Sequence, residues 1–304
     1  MSTLLVLQSR MFLIMFLGML LRKKDIITAQ GQQVLTDLVL FLILPCNIIC
    51  SFLIEFDSEI LQNFLTIFII SVAIQFGCFV LGKVLYTKVD DGKRKILQYA
   101  TSVSNAGFLG SPVAEGVFGS MGLVYSSIYL IPMRVIMWSA GISLFTASVD
   151  CKSLVKKVLT HPCIIAVFAG LALMFAQVSV PQIILAPLQD LSACNTGVSM
   201  LVIGSILADL NFRTLFDKTV LLFSALRLVG IPLVVYALCL LCGVDGLVMG
   251  VAVLMVAMPA ASATALLAAK YKKDAAFASK CVIATTLLSV VSIPLWSTLL
   301  LQGI

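Results

Sequence analysis

The chain has 304 residues, 61% of them apolar and only 11% charged, with a net charge of +6. A soluble domain of this length carries about a quarter charged residues, so a soluble globular enzyme is excluded. The basic residues are dispersed and lack an aromatic platform, which excludes nucleic-acid binding as well.

A membrane span needs about 20 consecutive apolar residues. Ten stretches of that kind follow one another, at 4–21, 34–54, 62–85, 96–118, 123–147, 162–179, 184–208, 217–241, 246–268 and 276–301. No alternating barrel pattern appears, so each span is predicted as a helix. Of 20 Lys and Arg, 17 fall in alternate connections, beginning with Arg22, Lys23 and Lys24 and ending with Lys280. Basic loops stay cytoplasmic, which predicts both termini outside the cell membrane. The fold class expected is an all-α polytopic membrane protein. Its ten transmembrane helices divide into two inverted five-helix repeats, 1–150 and 151–304. Inverted repeats are a common plan of secondary transporters.

Span 2 contains Pro45-Cys46-Asn47, and span 7 contains Cys194-Asn195-Thr196-Gly197. Both asparagines are candidates to line a substrate path or to bond between helices. Asp37 and Asp190 are expected to cap the starts of these spans. Span 4 reads Ser102-Val103-Ser104-Asn105-Ala106-Gly107-Phe108-Leu109-Gly110-Ser111-Pro112. Gly and Pro make a continuous helix improbable there. A break frees backbone N–H groups, and the new helix N-terminus favours anions. Ser104, Asn105, Gly107 and Ser111 are therefore candidate substrate-binding residues. Span 9 repeats the interruption at Met258-Pro259-Ala260-Ala261-Ser262, which adds Pro259, Ala260 and Ser262. If the two broken spans cross, their N-terminal ends converge near the midplane.

Three arginines lie inside spans. Arg10 is close enough to the end of span 1 to reach the surface. Arg134 in span 5 should face the interior, paired with Glu115 or binding a substrate carboxylate directly. Arg227 in span 8 lies deeper and needs a buried partner.

At these residues the chain resembles the auxin efflux carrier family, particularly its short bacterial members. The matching segments are Asn105 to Pro112, Phe118-Gly119, Met258-Pro259 through Tyr271, and Ala284 to Trp296. Leu44-Pro45 and Gly204 to Leu207 also look like that family. At Ser104, Ala260 and Thr196 the chain departs from the plant pattern. The resemblance implies a scaffold of spans 1, 2, 6 and 7 and a moving transport domain of spans 3–5 and 8–10. Spans 4 and 9 would cross there, with Asn105 and Pro259 at the crossover. Bacterial relatives are associated with small carboxylates such as malate and malonate.

The function expected is a carrier of small organic anions working by alternating access. The alternative is a cation/proton antiporter of related inverted-repeat fold, which would want intramembrane carboxylates such as Glu115. No catalytic residue, cofactor or metal is expected. The expected partners are the organic anion, the lipid bilayer and a second copy in a homodimer.

Overall fold

The computed structural model describes residues 2–54, 58–138, 140–145, 156, 159–177, 179–208 and 217–302. The boundary expected between the repeats, at 150, and the basic residues Lys152, Lys157 and Arg213 lie outside them. The regular structure among the described residues is helical. The helices are α1 (Ser2–Lys23), α2 (Ala29–Leu38), α3 (Leu44–Ser51), α4 (Ser58–Leu85), α5 (Asp91–Ser102), α6 (Ser111–Trp138) and α7 (Ala140–Ser143). They continue as α8 (Pro162–Ala176), α9 (Gln182–Ala208), α10 (Lys218–Ala225), α11 (Ile231–Leu241), α12 (Gly246–Val256), α13 (Ala263–Lys270) and α14 (Ala275–Gln302). Among the described residues, six helical stretches are long and apolar enough to cross a membrane. Pro162–Ala176 and Gly246–Val256 are shorter apolar helices.

Three short π-helical segments, Val39–Ile43, Ala106–Gly110 and Leu226–Gly230, each precede a helix with Pro at its first or second position. The prolines are Pro45, Pro112 and Pro232. A proline ring clashes with the carbonyl four residues back and offers no N–H. Widening the preceding turn relieves the clash. The freed carbonyl must then find another donor in a dry environment. For Pro232 that carbonyl is Leu228 O, and the Trp296 indole N–H donates to it at 2.8 Å.

The chain forms two compact units, each drawn from separated segments. The first comprises residues 1–62, 111–127 and 159–210. Inside it α1 and α9 pack backbone to backbone. A Cβ on Gly18 would strike the Leu201 carbonyl, and one on Gly204 would strike the Met15 carbonyl. Without a hydrophobic drive between helices in lipid, such small-residue contacts supply the association. Gly170 of α8 packs in the same way on Phe52, where a Cβ would lie 2.8 Å from the ring.

The second unit comprises residues 63–110, 128–158 and 211–304. Its buried cluster joins Ile96, Leu97 and Tyr99 of α5 to Phe223 of α10 and to Phe277 and Cys281 of α14. Helix α4 is sorted in reverse of a soluble helix. Ile69 and Phe76 are 64% and 68% exposed, whereas Ser71 and Gln75 are buried. Ser71 donates to Tyr129 O at 2.6 Å. Apolar side out and polar side in is the pattern of a helix whose solvent is lipid.

Two expected caps are corrected. Asp37 sits in the last turn of α2 and accepts from Gln33 Nε2 at 3.1 Å. The start of α2 is capped by Thr28, whose hydroxyl accepts from Gly31 N at 3.0 Å. Asp190 lies exposed inside α9, which begins at Gln182. Helix α2 reaches back through the polar residues Gln30, Gln32 and Gln33, and α9 through the apolar run Ile183 to Leu188. Arg10 is exposed on α1.

Candidate functional site

In the second unit the chain leaves helical geometry after Ser102 and again after Val256. Val103 is extended, with φ −115° and ψ 110°. The two interruptions meet edge to edge, as an antiparallel bridge between Ser104 and Ala260. Asn105 N donates to Pro259 O at 2.8 Å, and Ala261 N donates to Val103 O at 3.3 Å. Backbone groups that neither helix can use thus pair with each other, which hydrocarbon demands. Thr285 of α14 adds a third fixing point. Its hydroxyl accepts from Ala260 N at 3.2 Å and donates to Cys281 O at 2.7 Å.

The carbonyl ends of the two broken helices need a cation. Arg227, 2% exposed, supplies it. Its Nη1 donates to Thr101 O at 2.9 Å, and its Nε donates to Met258 O at 3.2 Å. One guanidinium therefore neutralises the negative ends of α5 and α12 together.

The amino ends remain to be used. The first turn after the bridge leaves the N–H groups of Ala106, Gly107 and Phe108 without partners inside the helix. The Asn105 side-chain amide makes no hydrogen bond to another described residue. Gly107 sits beside Arg134 of α6, where an added Cβ would lie 3.5 Å from Arg134 Nη2. On the other strand of the bridge, Thr264 N donates to Ala261 O and Ala265 N to Ser262 O. Ser262 is exposed, and the buried Thr264 hydroxyl has no partner among the described residues. Donors, helix amino ends and a guanidinium thus collect near the bridge, while the carbonyl ends of α5 and α12 are occupied by Arg227.

The other expected site residues are placed differently. The Ser104 hydroxyl is turned to Met255 O at 3.4 Å and Met133 Sδ at 3.6 Å. Ala260 is fully buried, and its N–H is taken by Thr285. Ser111, Asn47, Asn195 and Glu115 belong to the first unit. There Ser126 donates to the Ser111 hydroxyl at 3.5 Å. Glu115 accepts from Asn47 Nδ2 at 2.8 Å and from Asn195 Nδ2 at 3.3 Å. Ser192 donates to Asn47 Oδ1 at 2.6 Å. The hydrogen-bond partners of Glu115 are thus two neutral amides.

Sequence reasoning left Thr285 and Thr101 without a role and gave Arg227 no named partner. Only Arg227 carried a signal, as a charge deep in an apolar span.

The profile of the family described as membrane transport protein matches residues 6–297. The chain belongs to that family, an auxin efflux carrier-like one. The protein is a multi-pass membrane transporter, not an enzyme. The transporter is 34% identical over 218 residues to an uncharacterized transporter of Methanothermobacter thermautotrophicus, covering 70% of each chain. It is 26% identical over 293 residues to an uncharacterized transporter of Methanocaldococcus jannaschii, covering 91% of this chain and 92% of that one.

Proposed function

We propose that the transporter carries small organic anions, carboxylates first among them, across the cell membrane by alternating access. The observation that supports this reading is the Ser104–Ala260 bridge. It leaves Asn105 and the amino ends of two half-helices for a negative solute, with Arg134 beside Gly107 adding positive charge, while Arg227 occupies the carbonyl ends. A carboxylate accepts charge-assisted bonds from donors of this kind. The proposal includes ten spans as two inverted repeats with both termini outside the cell. In it spans 1, 2, 6 and 7 serve as the fixed part and spans 3–5 and 8–10 as the moving part. Broken helices beside a fixed site are the usual means of binding in such folds.

The test is uptake by purified protein in liposomes, against a panel of radiolabelled mono- and dicarboxylates and matched neutral amides. Saturable uptake of carboxylates but not amides is expected. Uptake of neutral or cationic solutes with no carboxylate competition would overturn the reading.

A further inference from the structure

The Glu115 cluster of the first unit has a donor deficit. Both amide bonds go to one oxygen, Oε2. Among the described residues Glu115 forms no ion pair, which is costly for a carboxylate inside a span. Asn195 is 1% exposed; its Nδ2 is spent on Glu115, and its Oδ1 has no partner among the described residues. Ser199, one turn further along α9 and fully buried, has a hydroxyl without a partner among the described residues. Buried polar atoms are almost always satisfied, so two orphans beside an uncompensated carboxylate mark an absent hydrogen.

We propose that Glu115, with Asn47 and Asn195, forms a proton-binding site that couples proton entry to transport. The step is the addition of one proton to the carboxylate, giving a carboxylic acid; no other bond changes. The acid has one O–H donor where the carboxylate had none. If the Asn195 amide then turns end for end, Oδ1 faces that donor and Nδ2 becomes available along α9 toward Ser199. The protonated carboxyl and the turned amide thus satisfy the groups that the carboxylate form leaves unpartnered. The proton neutralises the charge of Glu115 during passage, and a proton moving with a monoanion makes the cycle electroneutral. The titratable and charged groups on the two helices that hold Glu115 are few. Helix α3 carries Cys46 and Cys50, and α9 carries Cys194 and the exposed Asp190. None is basic, and the basic residue on the helix of Glu115 itself, Arg134 of α6, belongs to the second unit, so a proton is the charge these two helices leave Glu115 to take up.

This inference rests on the carrier reading for its coupling, but proton binding can be read without transport. Full-length protein in nanodiscs would be titrated from about pH 5 to 9, spanning the values buried carboxyls reach. Infrared difference spectra would follow the protonated carboxyl band. A band in the wild type that is absent in Glu115→Gln is expected. Asn47→Leu, which keeps Glu115 but removes a donor to the anion, should shift its midpoint to higher pH. The expected shift corresponds to roughly tenfold tighter proton binding, the worth of a hydrogen bond to a charged group. In liposomes an imposed pH gradient should drive carboxylate accumulation by the wild type, and Glu115→Gln should not respond to it. An unaltered band in Glu115→Gln, an unmoved midpoint in Asn47→Leu, or gradient-driven accumulation by Glu115→Gln would each overturn the proposal. If no carboxylate is moved by any variant, the carrier reading fails while the infrared titration still decides the proton site.

Discussion

Arg227 reaches Thr101 across 126 positions of sequence, with Nη1 2.9 Å from the threonine carbonyl. The same side chain takes Met258 O at 3.2 Å, so one cation closes two helices that stop inside the membrane. Replacing it with Met leaves two buried carbonyls without donors. Each costs about 1–3 kcal/mol. Arg227→Met should therefore lower the thermal midpoint of the detergent-solubilised protein by several degrees or prevent folding. Arg227→Lys should fall between, because an ammonium lacks the fork that serves two carbonyls. Thermal unfolding by intrinsic fluorescence measures both, and an unchanged midpoint in Arg227→Met would remove the clamp from this account.

Asn105 differs from Arg227 in that its side chain bonds no other described residue. Asn105→Ala should leave the thermal midpoint within about 2 °C, the scale of a sub-kcal change in a chain of this size. Carboxylate uptake should fall at least about tenfold, since a hydrogen bond to a charged group is worth about 1.5–3 kcal/mol. Full uptake by a folded Asn105→Ala would take that amide out of the binding site.

Thr285 holds the Ala260 N–H from the neighbouring helix α14. Thr285→Val keeps the shape but leaves the buried donor unmet, at about 1–3 kcal/mol. Thr285→Ser retains the hydroxyl and should retain most of the stability. Comparing the two by thermal unfolding separates the hydrogen bond from packing, and equal losses would argue for packing alone.

Gly204 tests the contact between α1 and α9. A Cβ there would overlap the Met15 carbonyl, a backbone atom that cannot swing aside. Gly204→Val should part the two helices and reduce the yield of monodisperse protein severalfold in size-exclusion chromatography. Gly77 has open space around its Cβ position, so Gly77→Ala is the matched control and should behave as wild type.

Much of the site was legible because Pro and Gly act locally. Pro259 and the run from Asn105 to Pro112 announced where helices could not continue. The exact stop was less legible. Pro112 looked like the breaker, but the helix runs on past it, the π-helical turn Ala106–Gly110 making room for the ring. The break lies earlier, at Val103 to Asn105, because the partner strand at Pro259 to Ala261 is there to pair with it. Gly119 falls between the spans 96–118 and 123–147 that hydropathy marks out. In the structure it is a kink of φ 69° within α6, a conformation glycine adopts without strain.

The sequence by itself determined that this protein lives in lipid, is helical, and interrupts two of its helices with polar or small residues. These follow from hydropathy and from the backbone rules of Pro and Gly, which need no neighbours. Only the tertiary structure decided which orphaned groups meet: Asn105 with Pro259, Arg227 with Thr101 and Met258, Glu115 with Asn47 and Asn195. Apolar periodicity tells a side chain to face inward or outward but not which partner waits there. For polar groups in a membrane interior, that partner settles the energy.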